Sequence, residues 1–377
     1  MYRSRFLTPL FVCLFLVPTS RAAEPFHFPE AKHGKGELKY RNGLPVLTVE
    51  GTPEEIGEQI GVLAIKPGSG LLTYIRELFR ARNLDQALPF LTKTAKAMTR
   101  KFPPDHLKEA EAMLKFSGLD SDLLLTANCL WDIKKLGCSA LYVAPELSAT
   151  KAPLMGRNLD FPTHGILQDY TLVIVYRPTG KHAFTSIGFP GLIGVMSGIN
   201  DAGLCVAVLD VVETADGSPP FDLTGTPMAM TFRRIMEECT TVDEAEKLLR
   251  ASKRTTLLNL AVCDSKKTGV VFELSPRTVA VRPAADGICA CSNHFRCKEL
   301  AVDMNCHRYD VLARSGVEKP LDVAAVQKQM HRANQAEWTF QTMVFEPAAL
   351  TLHLAFGKGP SSALPLRTLE LAPLFGQ

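Results

Sequence analysis

Apolar positions along this chain change their period at one point, near Cys138. Before it, Leu71, Tyr74, Ile75, Leu78 and Phe79 recur at three- and four-residue spacing, as do Leu107, Ala110, Met113 and Leu114. Such spacing predicts amphipathic helices from Gly51 to Leu136. Thr52 is placed to cap the first of them, Pro53 suits its opening turn, and Glu55 completes a capping box. Pro103-Pro104 separates two later helices. Upstream, the Pro- and Gly-containing stretch from Glu24 to Leu47 ends in an apolar run from Leu44 to Val49.

After Cys138 the apolar runs shorten and lie between Gly, Pro and Asn turns. Strands are predicted at Leu172 to Tyr176, Ala183 to Ile187, Leu192 to Met196, Gly203 to Leu209, Asn259 to Cys263 and Val270 to Leu274. More follow at Val279 to Val281 and Ile288 to Cys291, and a hairpin from Thr339 to Phe345 and Leu350 to Ala355. Gly198 and Gly203 bracket Asn200 and predict a turn there. Met228 to Arg250 reads as two helices, the second capped at Thr241; Leu300 to Arg314 and Ala324 to Met330 read as helical too. Strands and helices in blocks predict an α+β fold in layers.

Composition sharpens this picture at the N-terminus. Two arginines within Met1 to Arg5, an apolar run from Phe6 to Val17 and Ser20-Arg21-Ala22 predict a signal peptide over 1–22. The expected destination is export, periplasmic or extracellular. An uncleaved anchor is the alternative, disfavoured because the apolar run is short for a bilayer. Cys13 lacks the small preceding residue of a lipoprotein signal. No later stretch is long and apolar enough to span a membrane. The expected organisation is a mostly helical segment over 23–137 and a catalytic domain over 138–377. Net charge is only +3, from 42 Lys+Arg against 39 Asp+Glu. Lys266-Lys267 reads as a solvated turn, and no basic block marks a nucleic-acid partner.

Ten cysteines include Cys13, so nine remain past the signal, an odd number that leaves one free thiol. Cys138 is the candidate. Cys289, Cys291, Cys297 and Cys306 could hold disulfides in an oxidising compartment. Their spacing is no standard zinc pattern, so no metal is expected. Cys205 and Cys263 read as core residues.

The chemistry concentrates in Gly137-Cys138-Ser139-Ala140 and Gly156-Arg157-Asn158-Leu159-Asp160. An apolar run, a turn with Pro145, Lys151 and Pro153, and a second short run predict a hairpin that gathers a thiol, a cation and a carboxylate. A nearby Arg favours the thiolate. The preceding Gly137 suits a tight bend or a cleavage point.

These residues, with Ser197-Gly198-Ile199-Asn200-Asp201-Ala202-Gly203-Leu204, Gly51-Thr52-Pro53-Glu54-Glu55-Ile56-Gly57 and Cys291-Ser292-Asn293-His294-Phe295, resemble the N-terminal-nucleophile (Ntn) hydrolases. The nearest branch is the isopenicillin-N acyltransferase family, related to choloylglycine and penicillin V hydrolases. The resemblance covers about Gly51 to Phe356. It implies a four-layer αββα sandwich and self-cleavage between Gly137 and Cys138, leaving two associated chains. Cys138 would then carry its own base, because an α-amine has a reference pKa of about 7.7–8.0. The resemblance gives Arg157 the role of favouring the thiolate and Asp160 that of orienting the α-ammonium. Asn293 would donate to the oxyanion, and Arg308 would lie near the nucleophile. Asp210 departs from the pattern: relatives often have Asn or Tyr there, and a carboxylate cannot donate. The implied substrate is a small-molecule non-peptide amide or acyl donor with an apolar acyl part; no cofactor is implied.

Plainer readings stand beside these. Cys138 could be a buried or disulfide cysteine, Arg157 and Asp160 a surface ion pair, Asn293 a turn residue and Arg308 a helix-surface residue. Trp131 and Trp338 read as core or cleft residues. Two other functions are compatible: an unprocessed Cys–His thiol hydrolase using His294 or His307, and an inactive disulfide-stabilised binding or scaffold protein of the same fold.

Overall fold

The computed structural model describes residues 25–81, 86, 88–133, 137–315 and 320–377. The expected signal peptide lies outside them, as does the side chain of Trp131. The described chain opens with strands β1 (Ala31–His33), β2 (Gly36–Arg41) and β3 (Leu44–Gly51). Helices α1 (Pro53–Ile60), α2 (Leu71–Ala81), α3 (Leu88–Thr99), α4 (Pro104–Ser117) and α5 (Ser121–Ile133) follow. Thr52 caps α1 with Pro53 in its first turn, and both halves of the capping box with Glu55 are formed.

The hairpin of β4 (Gly137–Val143) and β5 (Leu154–Asp160) begins the second part. Next come β6 (Leu172–Pro178), β7 (Phe184–Gly188), β8 (Ser197–Asn200), β9 (Cys205–Asp210), α6 (Met228–Glu238) and α7 (Val242–Ala251). The chain continues through β10 (Leu258–Cys263), β11 (Gly269–Leu274), β12 (Val279–Pro283) and β13 (Ile288–Cys291). It ends with α8 (His307–Ala313), α9 (Val323–Arg332), β14 (Thr339–Glu346), β15 (Thr351–Phe356), β16 (Arg367–Glu370) and α10 (Ala372–Phe375).

Two sheets form. One runs β1-β2-β3-β6-β7-β8-β9-β10-β11-β12, the other β13-β4-β5-β14-β15-β16. Pairings are antiparallel except β3 with β6. The sheets face each other through contacts of β4 with β9, β10 and β11. Helices α1, α6 and α7 contact the larger sheet, and α8 and α9 the smaller one. This is the four-layer αββα sandwich that the sequence predicted.

Burial explains why β4 and β5 lack polar alternation: both of their faces are covered. Cys138, Ala140 and Tyr142 point into the core between the sheets, while Leu141 and Val143 join the cluster packed on α8 and α9. Tyr142 crosses the sandwich to donate from its hydroxyl to the Lys267 carbonyl at 2.7 Å. Its ring fills the space where a side chain at residue 269 would stand, which requires the glycine there.

Several expectations are corrected. The expected mostly helical segment before Cys138 also supplies three strands, over Ala31–Gly51, to the larger sheet. Leu192 to Met196 is irregular, and the strand forms instead at Ser197–Asn200, with the turn just after it. Only His307–Ala313 of the region Leu300 to Arg314 is α-helical. Trp338 is 46% exposed, not a core residue. The nine described cysteines are all free thiols, including the four read as possible disulfide partners. Cys205 and Cys263 are buried and face each other across β9 and β10. Among the described residues no helix is long and apolar enough to cross a membrane. Among the same residues no His, Cys, Asp and Glu cluster is placed to hold a metal.

Candidate active site

The β4–β5 register sets the site. Cys138 stands opposite Leu159, and Gly137 opposite Asp160. Strand side chains alternate, so odd-numbered Met155, Arg157 and Leu159 of β5 share the inter-sheet face with the Cys138 side chain. Asp160 projects to the other face, toward the end of α9. The hairpin therefore brings thiol and cation together directly, whereas the carboxylate approaches the 137–138 linkage from behind.

Arg157 is fully buried. Its Nε donates to Ser197 Oγ and its Nη1 to the Asn158 carbonyl, both at 3.0 Å, while Nη2 has no hydrogen-bond partner. Cys138 is likewise fully buried. Burial pushes its thiol up, and the Arg157 charge pulls it back toward the thiolate. Burial is the larger effect, so the thiol is held protonated.

The backbone of Cys138 is gripped on both sides. Its N–H donates to Asn293 Oδ1 at 2.8 Å, and its carbonyl accepts from Arg308 Nη1 at 2.5 Å. Arg308 Nη2 also donates to Asn293 Oδ1 at 2.9 Å. Arg308 thus turns inward from α8 rather than lying on the helix surface. Asn293 Nδ2 donates to the Asp210 backbone carbonyl at 2.8 Å. A side-chain amide of this kind carries two N–H donors and an acceptor oxygen. Asp210 meets Asn293 through its main chain, and its carboxylate charge raises the Cys138 thiol.

Asp160 is not a surface ion-pair residue; it is buried. It accepts from Thr339 Oγ1 at 2.6 Å and Gln335 Nε2 at 2.7 Å, with Arg308 Nη1 at 3.7 Å. Burial raises its pKa against these hydrogen bonds. Gly137 opens β4 in strand conformation rather than at a tight bend. A side chain there would collide with Gln335 Nε2 and stand 3.1 Å from Asp160 Cβ. A side chain at 137 would therefore displace the Gln335 amide from Asp160.

His294 does not pair with Cys138. Its Nδ1 lies 3.0 Å from Ser292 Oγ. His307 is exposed on α8.

Residues 148–320 match the model of a family described as acyl-coenzyme A:6-aminopenicillanic acid acyl-transferase. This stretch, just under half of the chain, is similar to that family. The matched segment starts beyond Cys138, yet it holds Arg157, Asp160, Asp210, Asn293 and Arg308. An uncharacterised protein of Archaeoglobus fulgidus is 25% identical over 273 residues, 64% of this chain and 45% of that protein. The chain thus spans about half the length of the curated relative it matches. Among solved structures the chain is similar to a variant of conjugated bile acid hydrolase from Clostridium perfringens. That likeness has a TM-score of 0.46 at 11% identity, covering 64% of this chain and 95% of the other. The Caenorhabditis elegans ortholog of N-acylethanolamine-hydrolyzing acid amidase gives a TM-score of 0.47 at 17% identity, covering 62% and 100%. Penicillin V acylase from Agrobacterium tumefaciens gives 0.41 at 14%, covering 61% and 84%.

Sequence reasoning missed the residues that support the candidate site. Gln335, from the loop after α9, and Thr339, at the start of β14, fix Asp160. Asn259 of β10 donates to the carbonyls of Ser292 and His294, at 3.0 and 2.9 Å, and so holds the turn that presents Asn293. Their sequence neighbours carry no motif, and only the strand register reveals them.

Proposed function

We propose that this chain is an exported, self-processing cysteine amidohydrolase or acyltransferase, cut between Gly137 and Cys138 and acting on non-peptide amides. The observation that carries this reading is the grip on Cys138. Its nitrogen and its carbonyl are each held by a charged or amide side chain, and a buried guanidinium lies beside its sulfur. A structural core cysteine needs none of this.

In the proposed reaction, cleavage turns the Cys138 amide nitrogen into an amine. That amine takes the proton from Sγ, and the thiolate attacks the substrate carbonyl. The developing oxyanion accepts from the Asn293 side-chain amide. The amine returns its proton to the leaving nitrogen, the C–N bond breaks and an acyl-Cys138 thioester remains. Water or a second amine then attacks the thioester, and the thiol is regenerated. Asn293 holds the amine, Arg308 holds the Cys138 carbonyl, and Asp160 orients the ammonium form. The two chains stay associated, since β1, β2 and β3 belong to the same sheet as β6 to β12. An apolar cavity lies between α2, α5 and the loops after β5 and β7, lined by Leu72, Tyr74, Leu124, Phe161, Phe189 and Leu192. Phe161 directly follows Asp160, so this cavity favours an apolar acyl part as the substrate.

N-terminal sequencing of purified protein, together with turnover of N-acyl amides of graded chain length, tests the reading. A new terminus at Cys138 with thiol-sensitive hydrolysis is expected. A fully active preparation with residues 137 and 138 still joined would refute it. Asn293→Ala is expected to lower kcat by about 10²–10³-fold, as for loss of one oxyanion donor. Gly137→Ala should slow the cut by displacing Gln335, yet leave kcat of the finished enzyme unchanged, because residue 137 is no longer joined to the nucleophile. Reduced kcat in fully cut Gly137→Ala protein would contradict that role.

A further inference from the structure

The Cys–His pairing absent at Cys138 is present at a second thiol. Cys306 precedes α8 and is partly exposed, unlike Cys138. Its Sγ lies 3.3 Å from Ser292 Oγ, which lies 3.0 Å from His294 Nδ1, so the serine hydroxyl bridges the thiol and the imidazole. The cluster is ringed by cations. Arg296 Nη1 is 3.4 Å from His294 Nε2, and its guanidinium stacks 3.9 Å over the Tyr309 ring; Arg282 stands on the same ring at 5.7 Å. Arg308 follows two residues after Cys306. Partial burial would raise the Cys306 thiol, but hydrogen bonds from His294 and Ser292, the Tyr309 backbone N–H and the Arg308 charge bring it down to about 6. Reactive cysteines occupy such electropositive, part-exposed settings, whereas buried ones are inert.

We propose that Cys306 is a modification site for low-molecular-weight disulfides of the oxidised glutathione class. The Cys306 thiolate attacks one sulfur of the disulfide. A new S–S bond forms to Sγ, the original S–S bond breaks, and the released thiolate takes a proton from solvent. Carboxylates on such a ligand meet Arg296 and Arg308. The adduct then competes for Arg308, which otherwise holds the Cys138 carbonyl and Asn293. Modification therefore lowers activity, reversibly by thiol reductants. The activity effect rests on the function proposed above, but the modification does not.

The test is incubation of the folded protein with oxidised glutathione at pH 6, followed by peptide mapping by mass spectrometry. Cys306 is expected to be labelled first, in parent protein and in Cys138→Ala alike. His294→Asn should be labelled about tenfold more slowly at pH 6, since the lost thiolate fraction outweighs the gain in intrinsic nucleophilicity. First labelling at another cysteine, labelling of Cys306 only after denaturation, or an unchanged rate in His294→Asn would overturn the site. Cys306→Ser should keep its hydrolytic activity and resist the reductant-reversible loss seen in the parent. Equal loss in both would overturn the coupling through Arg308. Absence of hydrolysis in every protein would count against the catalytic reading alone, because the mapping needs no turnover.

Discussion

Cys138→Ala is expected to give a single uncut polypeptide with no measurable hydrolysis or acyl transfer. The reason is twofold. The proposed reaction uses this thiol to attack both the carbonyl of residue 137 and that of a substrate. The uncut amide nitrogen of Cys138 also has no basicity, so even a restored nucleophile would lack its base. Folding should survive, because removing one buried sulfur is a small large-to-small change, on the order of 1 kcal/mol. A gel, an intact mass and a melting curve check the three parts. A Cys138→Ala chain cut at the same bond, or turning over amides at the parent rate, would remove the basis for an N-terminal thiol. Cys138→Ser separates the two steps, since a hydroxyl can still attack but ionises less readily.

Glu109→Ala is expected to destabilise the protein by about 3–5 kcal/mol, the usual effect of stranding a buried charge. Arg233 of α6 is fully buried and donates to both Glu109 oxygens, at 2.7 and 2.5 Å, to Glu237 Oε1 at 2.8 Å and to the Ile193 carbonyl at 3.0 Å. Its guanidinium also stacks on Tyr176 at 4.7 Å. Glu109 sits on α4, before the proposed cut, and Arg233 after it, so this network joins the two chains. Replacing the pair together, Glu109→Leu with Arg233→Met, should restore most of the stability. Denaturant titration reads both, and a Glu109→Ala protein as stable as the parent would show the network to be incidental.

The same cluster predicts acid sensitivity. Burial alone would raise Glu237, but Arg233, His106 and Lys181 hold its carboxyl well below the usual range. Burial and Arg233 lower His106, which stays neutral in the fold. Both groups bind protons more readily when unfolded. Stability is therefore fully present above about pH 6.5, the unfolded histidine value, and falls as acid first protonates unfolded His106 and then unfolded Glu237 near about 4.3.

Much of the site was legible in the chain because it is local. Cys138, Arg157 and Asp160 lie on one hairpin, and a hairpin's pairing follows from its turn and its apolar runs. The opposite orientation of Asp160 was not legible, since it depends on which residue of β5 falls opposite Cys138. Gln335, Thr339 and Asn259 reach the site from distant segments and carry no signature of their own. The reactive setting of Cys306 was hidden for the same reason: Ser292 and His294 belong to another loop.

The sequence by itself determined the capped helix at Thr52, the hairpin at Cys138 and the change from helical to strand period, because these depend on neighbours a few residues apart. The tertiary structure alone decided that residues 31–51 complete the larger sheet, that Arg308 turns inward, and which thiol meets a histidine. Those outcomes depend on register and burial between segments hundreds of residues apart, which local spacing does not encode.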